Sequence, residues 1–271
     1  MARSKTKTVS LVLGSGGARG VAHIGAIRWL TDNGYEIQSI AGSSIGALVG
    51  GCYAAGKLDA LADWVLGFEK LKVLRLLDPA FGRAGLFKGA RIIGVLREMT
   101  GDIAIEDLPL AFTAVATDAL SGDEVWLRKG NLVDAVRASM ATPLVFTPFD
   151  DGERRLLDGG LTDPVPIAPT LEDRTDLTVA VDLFGPPVAP CPSSLPTRGL
   201  VQVATAAMDA MQTTIARLRL ATCSPDVLVE IPRTACGFYE FWRAEELIEL
   251  GRQQMEEAFE VVTEGVQGQA A

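Results

Sequence analysis

Histidine is nearly missing from this chain, with His23 the only one. That count excludes a multi-histidine metal centre and leaves a Ser-His-Asp triad a single candidate base. The four cysteines (Cys52, Cys191, Cys223 and Cys236) form no CxxC pair and are too few to staple 271 residues. They read as reduced thiols in a cytosolic protein. Nowhere do about eighteen apolar residues run without a charge, so no membrane-spanning helix is expected. The start, "MARSKTKTVS", is basic, but the apolar stretch after it is broken by Gly-Ser-Gly-Gly and Arg19, which makes a poor signal peptide. Positive charge is also short: 25 basic residues face 34 acidic ones, for a net charge of −9. Such a surface repels polyphosphate at long range and argues against a nucleic-acid partner. It gives no pull toward an anionic membrane either, so a lipid would be captured by apolar contact. The expectation is a soluble, cytoplasmic protein that needs neither metal nor cofactor, of unspecified oligomeric state.

Apolar residues are plentiful at 48%, with only 6% aromatic, a mix dominated by Ala, Val, Leu and Ile that suits buried strands. Short apolar runs at 9–13, 37–41, 110–117, 124–127, 154–157, 177–183 and 227–231 read as strands. Between them, helix spacing covers 21–31, 45–55, 58–77, 90–99, 132–140, 200–220 and 244–262. The alternation implies an α/β fold of three layers, a mostly parallel central sheet with helices on both faces. The length is near the upper limit for one core. The Pro-rich segment "GPPVAPCPSSLPTRG" (185–199) is the only linker-like stretch. A further strand follows it, so one domain over 1–271 is expected, with 1–8 and 266–271 as tails.

"AGSSIGALVG" holds the pattern G-x-S-x-G, with Ser44 between Gly42 and Gly46. A strand before it and an Ala-rich helix after it supply the context of a nucleophile elbow, a sharp turn that exposes the serine at a helix N-terminus. Helix capping by Ser43 or Ser44 explains the same residues, and the motif alone leaves both readings open.

A serine nucleophile needs a proton acceptor. His23 lies beyond a glycine loop, inside a helix, and reads as a histidine that packs between helix and sheet or bonds a backbone carbonyl. The better candidate is Asp158 in "RRLLDGGLTDPVP", where a short strand ends and Gly159-Gly160 allow close backbone approach. Its competing reading is a turn aspartate bonded to its own backbone. Asp163 is a rival carboxylate, though Pro164 beside it suggests turn chemistry.

The loop in "LVLGSGGARGVAHIG" admits three uses. A P-loop fails because Arg19-Gly20 stands where Gly-Lys-Ser/Thr is required. A dinucleotide loop fits poorly, since glycines 14, 16, 17 and 20 miss the G-x-G-x-x-G spacing and no acid ends the second strand. The third use is an oxyanion hole, with the amides of Gly16 and Gly17 aimed at a tetrahedral intermediate. Arg19 braces the loop or meets a substrate phosphate, and bracing is the better reading.

Taken together, "GSGGARG…HIG", "GSSIG" and "DGG" resemble the patatin-like phospholipases, lipid acyl hydrolases with a Ser–Asp dyad on an α/β fold. The likeness runs from about residue 9 to 183 and includes "VATDALSGDEVWLRKGNLVDAVRASMATPLVFTPF". It implies Ser44 as nucleophile, Asp158 as base, and the amides of Gly16 and Gly17 as oxyanion donors, to which the amide of Ile45 at the start of the next helix is a further candidate. Gly14, Arg19, Gly20, Gly42, Gly46, Gly159 and Gly160 would support them. Ser15 replaces the first glycine of the family's triple glycine, and Asp163 stands where many members carry asparagine. The partners implied are a lipid or fatty-acyl ester and, transiently, a membrane surface. Residues 58–77 and 82–89 suit either an interfacial lid or plain core packing. A catalytically idle regulatory protein of the same fold and a nucleotide-binding protein are the competing functions.

Overall fold

A computed structural model of the protein describes residues 6–70, 89–188 and 200–269. Five strands run parallel in the order β3-β2-β1-β7-β8: β1 (Thr8–Leu13), β2 (Glu36–Ser43), β3 (Ala111–Asp118), β7 (Leu177–Gly185) and β8 (Val227–Pro232). Three short strands join antiparallel at the β3 end: β4 (Glu124–Leu127), β5 (Phe149–Asp150) and β6 (Arg155–Asp158). The seven helices described are α1 (Ala22–Asp32), α2 (Ile45–Ala54), α3 (Leu58–Leu66), α4 (Ala90–Thr100), α5 (Leu132–Ser139), α6 (Leu200–Thr222) and α7 (Ala244–Gln269).

Side-chain alternation divides the sheet's two faces. Leu11, Leu13, Val179 and Val181 point into the larger core beneath α1, α2 and α7. Val12, Ala180 and Phe184 point the other way, against Val165, Ile167 and Ala216 of α6. The result is the expected three layers. Burying Ile24, Ile27 and Leu30 of α1 contributes about 1.5–3 kcal/mol each.

The order of strands at β3 sets up the site. β2 pairs with β3 only as far as Ser43↔Val115, where the chain turns away into α2. β4 holds the opposite edge of β3 over Ala114–Thr117. The edge left by β2 is therefore taken over by β6, starting at Ala116↔Asp158. Asp158 thus reaches the end of β2 on an antiparallel strand, not through the convergence of parallel carboxyl ends.

Several expected boundaries shift. The run 58–77 does not form one helix: α3 closes at Leu66 with Gly67 behind it, and 71–88 lie outside the described residues. Most of the proposed lid loop 82–89 and of the linker 185–199 lies there too. Thr8, assigned to a tail, pairs with Glu36 and bonds Asp176. At the other end α7 continues through residues assigned to the tail, up to Gln269.

Helices α1 and α7 touch backbone to backbone at two glycines. A Cβ on Gly25 would stand 1.8 Å from the Ile248 carbonyl oxygen, and one on Gly251 would stand 1.9 Å from that of Ala22. In α4, by contrast, a Cβ on Gly94 meets nothing within 4 Å. Gly25→Ala and Gly251→Ala should each lower stability by about 1–3 kcal/mol through forced separation of the helices. Gly94→Ala should raise it by about 0.5–1 kcal/mol through helix propensity and chain entropy. Urea unfolding of the three variants checks both signs.

Candidate active site

Ser44 is one of two non-glycine residues with positive φ among those described, at φ 56° and ψ −120°. The turn accommodates this because Gly42 and Gly46, two residues to either side, bring no Cβ into it: one on Gly42 would stand 2.6 Å from the Ala47 nitrogen. A Cβ on Gly46 would lie 2.0 Å from the Leu13 carbonyl oxygen, so α2 can start hard against the end of β1. Gly42 is opposite Leu13 and Ala114 in the ladder, one residue before β2 ends. Ser44 occupies the N-cap position of α2, yet its side chain makes no capping bond. The Ser43 hydroxyl instead donates to the Asp163 carbonyl at 2.6 Å. Helix capping therefore does not account for either serine.

The Ser44 hydroxyl donates to Asp158 Oδ2 at 2.7 Å. The Ser44 amide donates to Ser139 Oγ at 2.8 Å, whose hydroxyl passes on to the Val115 carbonyl. Asp158 is 1% exposed. Thr142 Oγ1 donates to the same Oδ2 at 2.6 Å, and the Gly160 amide donates to Oδ1 at 2.8 Å. Burial pushes the Asp158 carboxyl above the usual carboxylate range, while bonds from Thr142, Ser44 and Gly160 pull it back. The turn reading of Asp158 holds on Oδ1, while Oδ2 takes the hydroxyls of Ser44 and Thr142.

Ser139 and Thr142 carry no motif of their own. They are delivered by α5, which Asn131 caps through the amides of Val133 and Asp134. Thr142-Pro143 ends the helical path, and the amides of Val145 and Phe146 both return to the Thr142 carbonyl. Leu144, at φ 67°, turns the chain there. The one trace in the sequence is a hydroxyl residue placed directly before a helix-ending proline.

The glycine loop is held from below. The Gly14 amide donates to Val181 O and the Ser15 amide to Pro164 O. Ser15 is buried, and a Cβ on Gly160 would run into its side chain, so Ser15 and Gly160 fit each other. Arg19 spends its guanidinium on the Gly16 carbonyl, the Arg233 carbonyl and Asp209, and stacks over Phe184. It braces the loop. Gly20 packs on Ile45, and Gly159 on the Val115 carbonyl. Among the described residues the amides of Gly16, Gly17 and Ile45 have no acceptor.

His23 is fully buried, with Nε2 2.8 Å from the Gly14 carbonyl oxygen. Burial lowers its pKa to about 4, which keeps the ring neutral, and it stands behind the loop rather than beside Ser44. The Ser44 hydroxyl bonds Asp158 and not Asp163, whose carboxyl accepts from the Val165 amide. Asp163 Oδ1 has no partner, and burial raises the pKa of this carboxyl to about 7.

Ser44, Gly17 and Ile45 open onto one cavity whose other walls are almost wholly apolar. Helices α1, α2 and α3 supply Ile24, Leu48, Val49, Leu61 and Val65, and Phe238, Tyr239 and Phe241 close the other side. Gly16 is not on that wall. Leu61, Trp64, Val65 and Phe68, from the described part of the run 58–77, belong to it. Among the described residues no group of three or more His, Cys, Asp or Glu is placed to hold a metal ion, and no helix is long and apolar enough to cross a membrane.

The family model described as patatin-like phospholipase matches residues 11–171, which include the glycine loop, Ser44 and Asp158. An uncharacterized NTE family protein of Mycobacterium tuberculosis is 36% identical, over 95% of this chain and 94% of its own length. A patatin-like phospholipase domain-containing protein of Caenorhabditis elegans is 34% identical over 58% of this chain, which is 12% of that protein. The crystal structure of the type III effector ExoU covers 96% of this chain and 53% of its own at 13% identity, with a TM-score of 0.48.

The Asp163 carboxyl supplies a stability test independent of activity. Its folded-state pKa, about 7, lies above the unfolded value, so its ionisation opposes folding. Its cost is nil below about pH 4, grows as pH rises, and levels off above pH 7. Asp163→Asn should therefore match the parent in urea at pH 4 and exceed it at pH 8.

Proposed function

The chain belongs to the patatin-like phospholipase family, and on that premise we propose that it is a serine esterase that cleaves fatty-acyl esters of lipids through a Ser44–Asp158 dyad. The observation that carries this reading is the 2.7 Å bond from Ser44 Oγ to Asp158 Oδ2 at the end of an apolar cavity.

Ser44 Oγ attacks the acyl carbonyl carbon while its proton passes to Asp158 Oδ2. The strained turn holds the hydroxyl out of the helix and removes the competing capping bond. Negative charge gathers on the former carbonyl oxygen, where the unpaired amides of Gly17 and Ile45, with Gly16 beside them, serve as donors. The N-terminus of α2 adds its partial positive charge at the same point. Collapse of the intermediate breaks the ester C–O bond, and Asp158 returns the proton to the leaving alcohol. Water then repeats the sequence on acyl-Ser44, again with Asp158 as base. A carboxylate is a weak base in water, and burial strengthens this one. The apolar wall suits the acyl chain, and the net charge of −9 leaves capture to that wall.

Ser44→Ala should cut p-nitrophenyl ester hydrolysis by about a thousandfold or more, with Asp158→Asn nearly as severe. A fluorophosphonate probe should label the parent and not Ser44→Ala. A folded parent that neither hydrolyses esters nor reacts with the probe would instead identify an idle regulatory protein.

Thr142 makes a second prediction. It shares Oδ2 with Ser44, so it favours the ionised carboxylate that must accept the proton. Thr142→Val should move the acid limb of kcat/KM to higher pH and leave the alkaline plateau less affected. Thr142→Ser should restore the parent profile.

A further inference from the structure

One short segment of the chain touches both Ser44 and Asp158. It is the end of α5 and the bend that follows, residues 139–142. The Ser139 hydroxyl accepts from the Ser44 amide at 2.8 Å. The Ala141 carbonyl accepts from the Asp158 amide at 3.1 Å, and the Thr142 hydroxyl donates to Asp158 Oδ2. Asp158 has further anchors in the Gly160 amide and the Thr117 hydroxyl. The amide of Ser44 depends on Ser139.

Ser139 can hold that amide in one way only. Its own proton goes to the Val115 carbonyl at 2.5 Å, so its oxygen meets Ser44 as an acceptor. Val115 is where β3 stops pairing with β2. The hydroxyl is therefore wedged between the two strands at the point where they part. Two bonds meeting at one oxygen keep the Ser44 nitrogen and the Val115 carbonyl oxygen about 4 Å apart, whereas a direct bond would draw them to about 2.9 Å. Ser139 is fully buried, and a Cβ on Gly159 would stand 2.0 Å from the same carbonyl oxygen. Loss of a single oxygen atom here frees too little room for a water. The bereft amide would close on Val115 and carry the elbow about 1 Å toward β3.

We infer that Ser139 is a positioning residue, whose hydroxyl spaces the elbow from β3 and so aims Ser44 Oγ at Asp158 and the Ile45 amide at the oxyanion. The inference rests on the serine esterase reading and adds to it the group that fixes the nucleophile's backbone. Ser139 is not a wall residue of the cavity, and its hydroxyl is spent on Ser44 and Val115. It therefore acts on rate through the placing of Ser44, not through substrate binding or the basicity of Asp158. Misplacing a reacting group by 1 Å costs about a hundredfold in rate.

Ser139→Ala on the full chain tests this in two ways. In the first, active sites are titrated to completion with a fluorophosphonate probe, and kcat for p-nitrophenyl butanoate is expressed per labelled site. It should fall by about tenfold to a hundredfold, with KM within about twofold of the parent. The acid limb of kcat/KM should stay at the parent's pH, unlike that of Thr142→Val. In the second, a crystal structure of the variant should show the Ser44 amide bonded directly to the Val115 carbonyl, with Ser44 Oγ beyond about 3.5 Å from Asp158 Oδ2. Ser139→Cys, of similar size but a weaker donor and acceptor, replaces the Ala variant in both arms if that does not fold, with the same signs. Fewer labelled sites at the parental kcat per site would mark a merely structural serine and overturn the inference. So would a raised KM at unchanged kcat, a displaced acid limb, or an elbow that has not moved. A folded variant that takes no label is decided by its structure. A moved elbow in the variant of a parent that neither hydrolyses esters nor takes the probe leaves the spacing role standing and removes the esterase reading instead.

Discussion

A carboxylate taken out of water costs several kcal/mol unless other donors replace its hydration. Asp158 is such a group, and much of the surrounding structure can be understood as the supply of those donors. The Gly160 amide comes from its own turn, the Ser44 hydroxyl from the elbow after β2, and the Thr142 hydroxyl from the bend after α5. Three separated segments must arrive together for the charge to be tolerated. Thr117 adds a bond to the Asp158 carbonyl, which fixes the strand that carries it.

The strain at Ser44 belongs to the same arrangement. A left-handed serine persists only where its neighbours over-determine it. Here the amide of Ser44 is held by Ser139, its side chain by Asp158, and α2 is pressed against β1 at Gly46. Helix α2 is buried at every residue but the half-buried Tyr53, so its N-terminus is set by core packing rather than by a cap. That leaves the amides of Ile45 and Gly17 without acceptors beside an apolar cavity, the setting in which the proposed oxyanion would be stabilised.

Most of the sheet was legible because buried parallel strands are short apolar runs between glycines, and that pattern is local. The elbow was legible for the same reason, as was the placing of His23: a histidine one turn into an apolar helix has little to meet but core. The end of α3 was not. Leu71 onward continues an apolar, helix-compatible pattern through Gly67, and periodicity cannot tell a wall of a cavity from a continuous helix. Nor were Ser139 and Thr142 visible, because hydroxyl residues near a helix end are common and only a partner 16 residues away gives Thr142 its place.

By itself, then, the order of residues determined the alternation of strands and helices, the sharp turn at Ser44 and the glycine-rich loop, since each depends on neighbours within a few positions. Which carboxylate Ser44 meets, and by what route, was decided only in three dimensions. Strand β2 stops pairing at Val115 and β6 takes over the vacated edge at Ala116, running antiparallel. Edge occupancy of this kind depends on β4 covering the opposite side, a relation among four segments that no local pattern encodes.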